Sequence, residues 1–218
     1  MQDSTRHSKA EEAELITDPE ELASREVRNG LKQFDQVVEM IEYHLDPERP
    51  FKLRPSAFLN LHRTALDGIS LYAGNFRPSN IEIGKSKHEP PPAHRVPELV
   101  EDLCDYVNSG WQERSALHLA AYVLWRLNWI HPFTDGNGRT SRVLSYLVLN
   151  LRLKTLLPGS HDTIPQQISE NKTPYYHALE MADESLRAGA LDLSAMEDLL
   201  SAMLARQLYS VHREASGA

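Results

Sequence analysis

Cysteine is nearly missing from these 218 residues. The one thiol, Cys104, can form neither an intramolecular disulfide nor a cysteine-built zinc site. Within VPELVEDLCDYV it reads as an inert core residue, and a cytoplasmic location is the default expectation. Long apolar runs are missing as well. The longest, Val143 to Leu151, is broken by Ser145, Tyr146 and Asn150, short of the roughly 18 residues of a membrane span. The opening MQDSTRHSKAEEAELITDPE holds no apolar leader core. Positive charge is also scarce: the net charge is −8, which argues against the basic face of a nucleic-acid-binding domain. Neither nucleic acid nor membrane is therefore an expected partner. A local basic pocket remains open.

What is present is apolar periodicity. Hydrophobic residues make up 41 % of the chain, enough for one core. After a polar tail over 1–19, Asp18 can cap a helix with Pro19 at its first position. That helix is expected to stop at Asn29-Gly30, and Leu31, Phe34, Val38, Ile41 and Leu45 then mark a second one. Phe58, Leu61, Ala65 and Ile69 share a further helical face. Residues 76–97 are the least helical part, with three consecutive prolines. There Ile81-Glu82-Ile83 alternates in the strand sense before Gly84, predicting a short hairpin or extended flap at about 76–94. Helical spacing resumes at Leu99 and Ala116, continues past residue 142 with Val143, Leu144, Leu147, Val148 and Leu151, and closes in two helices near 175–186 and 193–208. The expected fold is an all-α domain over 20–214 with one small β element.

Residues 131–142, HPFTDGNGRTSR, interrupt that periodicity between two helical stretches. Pro132 disfavours helix at His131, so the preceding helix should end there. Gly136 and Gly138 let backbone N–H groups crowd at the start of the next helix, where the helix dipole adds positive potential. Arg139 and Arg142, three apart, reach the same side of that helix and suit phosphate oxygens. Asp135 is placed to hold Mg²⁺ against the same phosphates, Asn137 to fix loop or ligand, and His131 to accept a proton from a hydroxyl. A plain Gly-rich turn would explain the glycines alone; it does not explain the arginines in phase with the carboxylate.

The stretch resembles the Fic family signature H-P-F-x-[DE]-G-N-G-R-x-x-R at every defining position. Leu61-His62, the segment YAGNFR at 72–77, the IEIG flap, the EPPPAHRVP exit and Tyr175-Tyr176 extend the resemblance along the domain. It implies the compact all-α Fic-type fold and transfer of AMP from ATP, with Mg²⁺, to a hydroxyl of a target protein. It further implies His131 as the base, Asp135 as metal ligand, and Gly136, Asn137, Gly138, Arg139 and Arg142 around the phosphates. Tyr175 and Tyr176 would sit near base or ribose, and Asp183 stands where some relatives use Asn for the nucleotide. Ile81, Glu82, Ile83 and Gly84 would form the edge that pairs with the target's backbone.

Two alternatives are weighed against this. Doc-type phosphotransferases resembling this family carry Lys where this chain has Gly138, and a vestigial binding module would not need an intact His131. Many relatives restrain themselves with a [ST]-x-x-x-E-[GN] helix; the nearest match, SREVRN at 24–29, has Arg28 in the glutamate's place. Glu26 or Glu21 in a shifted register, a small antitoxin-like partner, or no inhibition at all are the remaining readings, and a homodimer is common among similar proteins.

Overall fold

A computed structural model describes residues 8–9, 15–84, 86–159 and 161–216. Among them are eight α-helices: α1 (Pro19–Leu45), α2 (Pro55–Ala65), α3 (Val96–Ser109), α4 (Ala116–Ile130), α5 (Asn137–Leu153), α6 (Ile164–Glu170), α7 (Thr173–Arg187) and α8 (Ser194–Ser216). α4 and α5 form the centre. Leu119 through Trp125, Leu127 and Ile130 of α4 are buried, as is nearly every residue from Val143 to Leu151 of α5. Two helices apolar on most sides can only be stable when surrounded. α1, α2 and α3 cover one side of the pair and α7 and α8 another, so the loop joining α4 to α5 is held from several directions.

Local chemistry sets the helix ends. The Asp18 carboxylate accepts the Glu20 N–H at 2.9 Å and the Ser115 hydroxyl accepts that of His118 at 3.0 Å, each satisfying one orphan donor of a first turn. At the expected stop, Asn29-Gly30, the chain instead continues as one helix. The Asn29 side chain turns inward and donates to the carbonyls of Ala65 (3.3 Å) and Asp67 (2.8 Å), so α1 is fastened to the end of α2 at the very residue expected to break it. Tertiary hydrogen bonds outweigh the roughly 1 kcal/mol helix penalty of Gly30.

The β element also differs from a hairpin. β2 (Glu82–Ile83) pairs antiparallel with β1 (Ser8–Lys9), in the register Ser8 to Ile83 and Lys9 to Glu82. The strand's partner is thus the chain's own N-terminal region, not its sequence neighbour. Residues 1–7 and 10–14 of the expected polar tail lie outside the described residues. Among the described residues no helix is long and apolar enough to cross a membrane.

Candidate active site

α4 ends as its sequence requires. His131 donates its backbone N–H to Leu127 at 2.9 Å and then turns left-handed, with φ 51°. A helix C-terminus leaves its last carbonyls without intrahelical donors, and here three are satisfied by side chains. His131 Nδ1 reaches the Asn128 carbonyl at 3.1 Å, His88 Nε2 the Trp129 carbonyl at 2.7 Å, and Arg77 Nε the His131 carbonyl at 2.8 Å. A carbonyl only accepts, so in the neutral His131 ring Nδ1 carries the hydrogen and Nε2 the lone pair. Burial pushes the His131 pKa down to about 4; the hydrogen bond to Asn128 opposes that, while His88 and Arg77 add to it. At neutral pH the ring is therefore a proton acceptor.

The loop from 132 to 136 is shaped by groups facing inward. The Asn137 amide accepts the Phe133 N–H at 3.0 Å and donates to the Phe133 carbonyl at 2.9 Å, so its side chain fixes the loop and leaves only its backbone to face a ligand. Fully buried His62 donates through Nε2 to the Asp135 carbonyl at 3.0 Å, accepts the Gly74 N–H at Nδ1 at 3.0 Å, and stacks on Phe133 with centroids 3.7 Å apart. Gly136 caps α5 at φ 73°, and a Cβ there would lie 2.5 Å from Leu66 and 3.2 Å from the His62 ring. Only glycine fits both the dihedral and the space. Arg77, buried to 3 % exposure, ties the base of the flap to the start of the 132–136 loop. Besides His131 it donates to the carbonyls of Ser79 (2.9 Å) and Pro91, and its N–H reaches Pro132 (2.8 Å).

Beyond this loop lies a cavity of 1020 Å³. Its lining gathers His131, Asp135, Gly136, Asn137, Gly138, Arg139, Arg142, Tyr175, Tyr176 and Asp183 from the α4–α5 loop, α5 and α7, with Ile83 at the flap side. Of the other flap residues, Ile81 is buried in the core, Glu82 is exposed and Gly84 half-exposed, and none of the three lines the cavity. Arg139 is held by two carboxylates, Asp135 at 2.5 Å and Glu26 of α1 at 2.9 Å. Arg142 has no carboxylate partner among the described residues; burial draws its pKa down, and Arg139 adds to that against the opposing Tyr175. An added Cβ at Gly138 would lie 3.1 Å from the Arg142 guanidinium, so the glycine leaves that side chain room. Arg28 is exposed and outside the cavity, whereas Glu26, Val27, Gly30 and Leu31 line it. Asp183 accepts the Trp125 indole N–H at 2.8 Å and faces His88 Nδ1 at 3.9 Å, ties that place it in the wall between flap and α4.

Two of these residues escape sequence reasoning. Arg77 belongs to the YAGNFR segment, but its role depends on carbonyls far along the chain. His88 sits in an irregular loop without period. Glu26, one of the two glutamates considered in a shifted register, meets Arg139 through the packing of α1 on α5.

Where the two central helices of this all-α fold meet, one cavity gathers a histidine, two glycines and two arginines. Residues 52–149 match the family model described as the Fic/DOC family, so this stretch of the chain is similar to that family. The chain is 35 % identical over 130 residues to a Drosophila willistoni protein named protein adenylyltransferase Fic, covering 58 % of this chain and 24 % of that one. A Drosophila persimilis protein of the same name matches at 35 % over the same length. The chain thus spans about a quarter of the curated relatives it matches. Among solved structures, a Fic domain containing signaling protein from Bacteroides thetaiotaomicron aligns with TM-score 0.66 at 25 % identity, over 87 % of this chain and 72 % of that one. A Fic family protein from Desulfovibrio desulfuricans shares the fold with TM-score 0.65 at 22 % identity, over 91 % and 56 %.

Proposed function

We propose that this domain transfers AMP from ATP to a hydroxyl side chain of a target protein. The observation that carries the reading is the neutral His131, its lone pair on Nε2, at the rim of a glycine nest flanked by Arg139 and Arg142. The adenylyltransferase names of the curated relatives support it. The target's hydroxyl proton goes to His131 Nε2, its oxygen bonds to the α-phosphorus, and the bond from that phosphorus to the β-phosphate oxygen breaks, releasing pyrophosphate. Backbone N–H groups of Gly136, Asn137 and Gly138 and the two guanidinium groups stabilise the charge that develops on the phosphates. A base with a pKa near 4 is weak, but a polyanionic nucleotide beside it favours the imidazolium and brings it toward the neutral range suited to general base catalysis.

A divalent cation fits the residues present. Mg²⁺ asks for one or two carboxylates and takes its other ligands from phosphate and water, and Asp135 offers one half-exposed carboxylate at the nest. Bound there, Mg²⁺ would neutralise phosphate charge, with Asp135 released from Arg139 to hold it. Glu26 competes with the nucleotide for Arg139, a restraint supplied from α1.

The test is labelled ATP in host lysate. Label from the α-phosphate on a protein band, lost in His131→Ala while ATP still binds, supports the reading. Transfer of γ-label instead would make the domain a kinase. Absence of both labels would reduce it to a binding module.

A further inference from the structure

The flap bears its strand on an otherwise irregular loop, so something must fix that strand's distance from His131. Arg77 secures the base of the loop at Ser79 and Pro91, on either side of the strand and outside it. On the C-terminal side of the strand, a further tie is His88. Its Nε2–H donates at 2.7 Å to the Trp129 carbonyl, one of the orphan acceptors in the last turn of α4, two residues before His131. Its Nδ1 faces the Asp183 carboxylate of α7 at 3.9 Å, and its ring leans on Trp129 with centroids 5.5 Å apart. Asp183 is itself oriented by the Trp125 indole, on α4 one turn before Trp129.

Two short turns connect this anchor to the strand. The His88 N–H donates to the Ser86 hydroxyl at 3.1 Å, and the Ser86 N–H donates to the Ile83 carbonyl at 3.2 Å. A side chain capping α4 from another segment, joined through two hydrogen-bonded steps to Glu82–Ile83, ties the strand to the end of the helix that carries the base.

We propose that His88 is a positioning residue: it clamps the flap strand to the C-terminus of α4 and so sets where an extended target segment lies relative to His131. This rests on the adenylyl-transfer reading for its consequence, though not for its geometry. Asp183 belongs to the clamp, holding the imidazole from the far side.

Two measurements on the full chain test it, using His88→Ala and His88→Gln, the latter keeping an N–H donor at similar reach. In hydrogen exchange of the protein alone, the amides of Ile81 to Gly84 should exchange about tenfold faster in His88→Ala, the effect of losing one part-buried hydrogen bond, and recover in His88→Gln. With α-labelled ATP in host lysate, the ratio of AMP placed on protein to AMP released into water should fall about tenfold in the alanine variant, for the same lost bond, and recover in the glutamine variant. Unchanged exchange at the strand overturns the clamp. A parallel loss of both products, leaving the ratio constant, also overturns it and moves His88 into the chemical site. Should the wild-type protein give neither product, the adenylyl-transfer reading fails, and the exchange result alone still decides whether the clamp exists.

Discussion

Replacing Glu26 by alanine should tighten ATP binding. The anion that enters the nest must take Arg139 from Glu26, which holds one of its terminal nitrogens at 2.9 Å. The carboxylate side chain is 43 % exposed and the guanidinium 23 %, so the pair is screened by water. Pairs of this kind contribute about 0.2–1 kcal/mol. Asp135 keeps the other terminal nitrogen, which makes the upper figure a ceiling. Since about 1.4 kcal/mol corresponds to tenfold in affinity, the ceiling amounts to roughly fivefold. Calorimetric titration of wild-type and Glu26→Ala protein with a non-hydrolysable ATP analogue at about 0.1 M salt measures it. The gain should shrink at about 1 M salt, where the screening length falls to about 3 Å. Glu21→Ala is the control: Glu21 is exposed in the first turn of α1 and makes no ion pair among the described residues. An unchanged or weaker affinity in Glu26→Ala, or an equal gain from Glu21→Ala, would refute the reasoning.

Other outcomes follow from the same geometry. His131, with its pKa pushed down to about 4 by burial, should remain neutral in the free protein well below pH 6. Because the depressed value lies below that of the unfolded chain, its contribution to stability is full above about pH 6.5 and is lost as pH falls toward 4. An NMR titration of the ring should show this, with the midpoint rising when an ATP analogue is bound; a midpoint of about 6.5 without ligand would contradict it. Gly136→Ala forces a side chain into φ 73° and against Leu66, a strain of about 1–3 kcal/mol that should lower the melting temperature by several degrees. Asn29→Ala removes two hydrogen bonds between α1 and the end of α2 and should cost about 1–3 kcal/mol in denaturant unfolding. A loss confined to a few tenths would mean that α1 is held by its apolar face alone.

Sequence reading went furthest where the physics is local. The periods of α3, α4 and α5 are written in their own residues, and Pro132 marks the end of α4 in the sequence itself. The site's central groups sit within twelve consecutive positions, so their convergence on one cavity needed only the turn that Gly136 allows. Long-range contacts were not legible. Asn29-Gly30 has the composition of a helix stop, and what carries α1 through it are carbonyls 36 and 38 residues away. Ile81-Glu82-Ile83 alternates as a strand should, but alternation does not name a partner, and the partner is Ser8–Lys9. Asn137 could be read as fixing loop or ligand; its amide is used twice on Phe133. Arg77 and His88 act by capping carbonyls of a helix that the chain reaches some forty or fifty residues later.

The pairing of Ser8–Lys9 with Glu82–Ile83 also sets a competition at equilibrium. An edge strand that meets its partner within one chain works at an effective concentration set by the tether, commonly in the millimolar range for short flexible links, and diluting the protein does not weaken it. Any incoming strand competes with a rival that never leaves. Its apparent affinity would be divided by one plus the equilibrium constant of the internal pairing, so under the proposed function a target would have to gain most of its binding energy elsewhere on the surface.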